Sequence, residues 1–156
     1  MSQARYVVDA SVGVMLYLKE PLSSRAVDFF RGLKGEVPFL LHVPDFFYVE
    51  VAHVLLKAIR GGKVDPHEAA IAIADLCSLA IVPVPSSELA EDALAVAQES
   101  GTSAYDACYV ALSDRVDAPL VTADKRLVNA LAGSPHRVQW LGDVQAEQPS
   151  EDGRIA

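Results

Sequence analysis

The sequence predicts a single α/β domain built on a central parallel sheet of about five short strands flanked by helices. Three observations predict it. Strand-like and helix-like segments alternate along the chain. The strand candidates are short continuous apolar runs, the pattern of strands buried on both faces by helices. The chain's 156 residues, 51% hydrophobic and 22% charged, are one-domain length with an ordinary globular balance, and no internal repeat or linker divides them.

Tyr6–Val8 is an apolar, β-branched run long enough for a buried strand, and it ends at Asp9. Val12–Leu18 follows as a helix, stopped by Pro21. Ser23 or Ser24 caps a second helix running towards Gly32 and Gly35. Phe39–Val43 is the next strand, between Pro38 and Pro44. Asp45 then caps a long helix from Phe46 to Arg60, ended by Gly61-Gly62. Asp65-Pro66-His67-Glu68 combines a capping Asp, a first-turn Pro and a Glu at capping-box spacing, so a helix runs from there to about Cys77. Ile81–Val84 is a strand. Ser87 caps a helix with Glu88, Glu91 and Asp92 in its first turns, where the dipole favours negative charge, and Gly101 closes it. Ser103 caps the next helix, through Arg115. Leu120–Thr122 is a strand, Lys125–Leu131 a helix and Val138–Leu141 a last short strand. Residues 1–141 thus form the domain, and 142–156 read as a polar, loose tail.

Met1 to Arg5 are polar, and Asp9 interrupts the apolar run behind them, so no signal peptide is read. No apolar stretch has the length to span a bilayer. The chain is expected in the cytoplasm, without a membrane partner. Cys77 and Cys108 sit among apolar residues and form no CxxC pair, which predicts two buried free thiols. A net charge of -8 excludes a protein that coats nucleic acid by electrostatics alone. It does not exclude a nuclease whose acidic site is neutralised by bound dications. Such a protein would hold its substrate weakly without metal.

Four acids stand out by position: Asp9, Glu50, Asp106 and Asp124. Asp9 and Asp124 each follow a predicted strand directly, and Asp106 and Glu50 lie in the first turns of helices. In doubly wound sheets, ligands gather beyond the carboxyl ends of the strands, near the switch in strand order. Each acid also has a purely structural explanation. Asp9 and Asp124 can cap the helices that follow them, and Asp106 stands at capping-box spacing from Ser103. Glu50 can belong, with His53, Lys57 and Arg60, to a solvated line on the Phe46 helix. Together the four are harder to dismiss. Helix N-termini relieve the repulsion of clustered carboxylates by only ~0.3–1 kcal/mol each. Acids brought close in a low-dielectric cleft must therefore take up protons or a cation. Oxygen-only ligation selects Mg²⁺ or Mn²⁺, since no Cys or His has ligand spacing with them. The chemistry this suits is phosphodiester hydrolysis by an activated water, with no side-chain nucleophile. Ser11 and Thr122, each two residues from an acid, are candidates to orient that water or a phosphate oxygen, or else bond backbone.

Tyr6-Val7-Val8-Asp9-Ala10-Ser11, Glu50 between Val49 and Val51, Ala104-Tyr105-Asp106-Ala107-Cys108-Tyr109-Val110-Ala111-Leu112, and Leu120-Val121-Thr122-Ala123-Asp124-Lys125-Arg126-Leu127 together resemble the PIN-domain ribonucleases. More narrowly they resemble the VapC-type toxins of bacterial or archaeal toxin–antitoxin pairs. The likeness runs from residue 6 to about residue 141, with the motifs in the family's order. Each motif alone is weak; the ordered set is specific. It implies an endoribonuclease dependent on Mg²⁺ or Mn²⁺, with Asp9, Glu50, Asp106 and Asp124 as metal ligands and catalytic residues. It also implies structured RNA as substrate, a homodimer, and inhibition by a small cognate antitoxin whose C-terminal segment fills the cleft.

Lys57, Arg60 and Lys63 continue the Glu50 line, and Lys125 and Arg126 follow Asp124; these are the candidates for RNA phosphate contacts, though such charges more often mark a solvated helix face. The apolar breadth of the Phe46 helix suggests burial on more than one side. His42, His53, His67 and His136 show no ligand or nucleophile–base spacing, and Trp140 is expected in the core. A dehalogenase-type phosphatase would want a second aspartate where Ser11 stands, and a response-regulator receiver would want paired acids at the first strand. The alternative from another class is a catalytically silent PIN-like module that binds RNA or protein.

Overall fold

Asp9 both ends the first strand and starts the first helix. In β1 (Arg5–Val8), Val7 and Val8 are fully buried, and the extended Asp9 accepts the Val12 N–H to cap α1 (Ala10–Met15). The computed structural model describes residues 3–144. Within them follow α2 (Ser23–Arg31), β2 (Leu40–Pro44), α3 (Phe47–Arg60), α4 (Pro66–Ser78), β3 (Ile81–Val84), α5 (Ala90–Ser100), α6 (Ala104–Arg115), β4 (Leu120–Thr122), α7 (Lys125–Ala130) and β5 (Val138–Trp140).

The five strands are all parallel, in the order β3-β2-β1-β4-β5. The winding direction changes between β1 and β4. Val8 lies opposite Val121 there, so Asp9 and Thr122 leave the sheet side by side at the carboxyl edge. Helix α6 is the central pillar: Ala107 through Ser113 are buried without interruption. It packs on β1, β2 and β4 and is covered by α5, which explains why it is apolar all round. On another flank α3 packs against α1 and α4. The contact with α1 needs Gly13, because a Cβ there would stand 2.7 Å from the Phe47 ring.

Capping followed the sequence at Asp65, which accepts the His67 and Glu68 N–H groups, at Ser103, and at Gly101, which closes α5 at φ 72°. Elsewhere tertiary contacts prevail. Asp45 does not cap α3; its carboxylate accepts the Ser86 N–H at 3.2 Å, pinning the loop after β3. Ser87 does not cap α5 either. Ser86–Glu88 form a short 3-10 turn, and α5 begins at Ala90 behind the buried Leu89. Ser23 opens α2 from inside, its hydroxyl accepting the Glu20 N–H and donating to the Leu18 carbonyl.

Cys108 is buried as expected, but Cys77 is exposed, because it lies on the outer side of α4 while Ala69, Ala72 and Leu76 face the core. Trp140 is half-buried rather than a core residue; it ends an edge strand, with the Lys125 ammonium 4.1 Å above its ring. Leu141, fully buried, opens a 3-10 turn through Asp143. Residues 145–156, most of the expected tail, lie outside the described residues. Among the described residues no helix is long and apolar enough to cross a membrane.

Candidate active site

The carboxylate of Asp9 sits at the switch point, 5% exposed, inside a ring of donors. The Ser11 hydroxyl donates to Oδ1 at 2.5 Å, joined by the Val12 N–H at 3.4 Å, and the Thr122 hydroxyl donates to Oδ2 at 2.5 Å. Both hydroxyls are themselves fixed by backbone. Ser11 Oγ accepts the Ala123 N–H at 2.9 Å, and Thr122 Oγ1 accepts the Asp124 N–H at 3.0 Å. One network thus ties the end of β1 to the turn after β4. Burial still dominates: it pushes the Asp9 carboxyl up to about 6, against these three hydrogen bonds, and the nearby charge of Asp106 adds to the rise. Two hydroxyls and one N–H leave acceptor capacity on the carboxylate, chiefly at Oδ2.

Asp106 and Glu50 are near enough to act on its charge, and Asp124 acts on Asp106. Glu50, half-buried in the first turn of α3, accepts the Tyr109 hydroxyl at 3.1 Å. Burial raises its pKa, the Tyr109 bond opposes that, and the charges of Asp106 and Asp9 add to it. Asp106 is in the first turn of α6, its N–H bonded to Ser103 Oγ at 3.1 Å. Its pKa is raised by burial and by Asp124, and eased downward by Ser103 and Arg126. Asp124 caps α7 through the Arg126 N–H at 2.9 Å, with its side chain one-third exposed. Asp9, Glu50 and Asp106 therefore feel one another's charge, and Asp124 joins through Asp106.

Among the described residues, no three His, Cys, Asp or Glu side chains stand together as a group that could hold a metal ion. An open arrangement is what Mg²⁺ favours, since it keeps several waters and takes only one or two carboxylates beside a substrate phosphate. The donor set suits such a hard cation: all carboxylates, three of them short of solvent and resisting ionisation.

The candidate cations divide. Arg126 stands at the site, 3.5 Å from Asp124 and close enough to act on Asp106. Lys125 is drawn over Trp140. Lys57 and Arg60 lie in the last turns of α3, about 10 and 15 Å along the axis from Glu50. The structure does not bring them to the acids. Tyr109 is the residue that sequence reading passed over. Its one signal was a spacing of three from Asp106, which shares a helix face with it.

A profile of the PIN domain family matches residues 6–132. Ribonuclease VapC3 of Pyrobaculum aerophilum is 34% identical over 125 residues, covering 79% of this chain and 92% of the relative. Ribonuclease VapC12 of Mycobacterium tuberculosis is 30% identical over 124 residues, covering 80% and 90%. Among solved structures, PAE2754 from Pyrobaculum aerophilum superposes with a TM-score of 0.66 at 24% identity, over 90% of this chain and 85% of that one. A toxin–antitoxin complex from Klebsiella pneumoniae superposes with a TM-score of 0.56 at 17% identity, over 83% and 92%.

Proposed function

The chain belongs to the PIN-domain family, and from that membership we propose that it is a divalent-metal-dependent endoribonuclease and the toxin of a toxin–antitoxin pair. The observation that carries the reading is Asp9. A carboxylate buried at the switch point, under the charges of Asp106 and Glu50, is arranged for a cation that the fold itself does not supply. Asp9, Asp106, Asp124 and Glu50 would hold the Mg²⁺ or Mn²⁺. When bound, the cation lowers the pKa of water and offsets charge growing on the phosphate.

The chain's own groups set that geometry. Thr122, with no solvent exposure, donates to Asp9 and accepts the Asp124 N–H, which makes it a positioning residue. Ser11 is half-buried and holds Asp9 while remaining open to a water or phosphate oxygen. Arg126 and Lys125 supply phosphate contacts at the rim, and Lys57 and Arg60 extend the RNA track along α3. The exposed Val49 and Leu56, two turns apart on α3, support a homodimer. The cognate antitoxin is the second partner, in line with the toxin–antitoxin complex from Klebsiella pneumoniae that shares this fold.

The test is direct. The purified protein is incubated with total RNA and Mn²⁺ and the new 5′ ends are mapped. Discrete cuts are expected, abolished by EDTA and by Asp9→Asn. Cleavage persisting under both controls overturns the metal mechanism, and no metal-dependent cut in any structured RNA points instead to a silent binding module.

A further inference from the structure

We propose that Tyr105 is a stacking platform for an unpaired nucleobase of the substrate, beside the metal centre. The inference rests on the nuclease reading and deepens it, because it specifies the form of RNA the site accepts.

Tyr105 is 63% exposed, and it is the one aromatic among the exposed large apolar side chains of the described residues; the others, such as Val49 and Leu94, are aliphatic. Its place is not incidental. It adjoins Asp106 in sequence and stands four residues before Tyr109 on the same face of α6, about 6 Å along the axis. Phe46, at the start of α3, meets both rings edge-on: Tyr105 at 5.5 Å and 84°, Tyr109 at 5.7 Å and 90°. Tyr109 in turn donates to Glu50. A run of three rings therefore links the exposed Tyr105 to Glu50. Phe46 braces the ring by its edge, which leaves the Tyr105 ring half open to solvent at the lip of the site.

An acidic protein needs such a contact. With a net charge of -8, the chain has little general attraction for RNA. Arg126 and Lys125 are the two cations at the rim, while Lys57 and Arg60 lie down α3. Stacking on an aromatic face is indifferent to that charge and works with any base. It requires the base to be unpaired and splayed from its neighbours, as in loops, bulges and single strands. The expected substrate is therefore an unpaired stretch presented to the acids, with the base next to the scissile phosphate lying on Tyr105.

The experiment uses the full chain and a 16-nucleotide unstructured RNA of mixed sequence, with 2-aminopurine placed at successive positions and, in a parallel set, an abasic ribonucleotide at the same positions. Cleavage in Mn²⁺ is followed as kcat and KM, and stacking as quenching of the 2-aminopurine. One position is expected to quench on the wild type and not on Tyr105→Ala. Tyr105→Ala should raise KM by about 10- to 100-fold with kcat little changed, Tyr105→Phe should restore it, and the abasic RNA should be indifferent to all three. Equal KM for wild type and Tyr105→Ala overturns the platform and leaves the nuclease standing. So does an equal loss on the abasic RNA, or a Tyr105→Ala chain that merely changes its sedimentation from dimer to monomer. A wild type that neither binds nor cuts any RNA in Mn²⁺ overturns both.

Discussion

Asp9 and Asp65 hold the same local post. Each is an extended residue before a helix, and each accepts backbone N–H groups from the first turn. Asp65 is exposed, follows an exposed loop, and takes two N–H groups, at 2.8 and 3.4 Å. Asp9 takes one, at 3.4 Å, and is buried where β1 and β4 part. As a cap, Asp9 is the poorer of the two, yet the structure gives it two hydroxyl donors that Asp65 lacks. Capping accounts for all that Asp65 does. It accounts for little of what surrounds Asp9, and that excess marks the site.

The largest effect should come from removing the charge of Asp9. The sign is set by its raised carboxyl. As pH rises, the unfolded chain loses this proton near 3.8 and the folded chain only near 6. Between those values the folded state holds the extra proton, so the metal-free fold loses stability through that window and stays lower above it. Two pKa units correspond to about 3 kcal/mol. Asp9→Asn should therefore abolish metal-dependent cleavage while raising the metal-free Tm at pH 7 by several degrees, and the gain should vanish near pH 4. The amide keeps an acceptor for only one of the two hydroxyls, so the gain falls short of the full figure. Thermal melts from pH 4 to 8 in EDTA check it; a Tm that falls at pH 7 would show that Asp9 acts as a structural cap alone.

A smaller effect is expected one residue away from the acids. Tyr109→Phe keeps the buried ring and its contact with Phe46 but takes the donor from Glu50. Stability should drop by about 1 kcal/mol. The Mn²⁺ concentration giving half-maximal cleavage should rise by roughly tenfold, in the range seen when partners of metal ligands are removed. The KM for RNA should hold. An unchanged metal titration would reduce Tyr109 to a packing residue.

The same contrast explains what the sequence could reveal. Asp9 and Asp124 were legible because their signals are local: a buried run that stops at an acid, and a helix that starts there. The alternation of elements and the parallel sheet were legible for a similar reason, since continuous apolar runs mean burial on two faces. The failures are long-range. Asp45 and Ser87 had capping chemistry as good as that of Ser103, but Asp45 was claimed by an N–H 41 residues away, and the chain at Ser86–Glu88 tightened into a 3-10 turn. The bond from Tyr109 to Glu50 spans 59 residues and leaves no local trace. Cys77 was misplaced because its apolar neighbours say that a helix is buried, not which side of it.

The smallest predicted effect closes the comparison from the other side. Asp65→Ala removes two exposed backbone bonds from the start of α4, a helix that packs chiefly on α3. The expected loss is about 1 kcal/mol, read in a urea melt, with metal-dependent cleavage per folded molecule unchanged. If instead Asp65→Ala altered the Mn²⁺ titration, the two caps would not be separable, and the argument that Asp9 is more than a cap would lose its control.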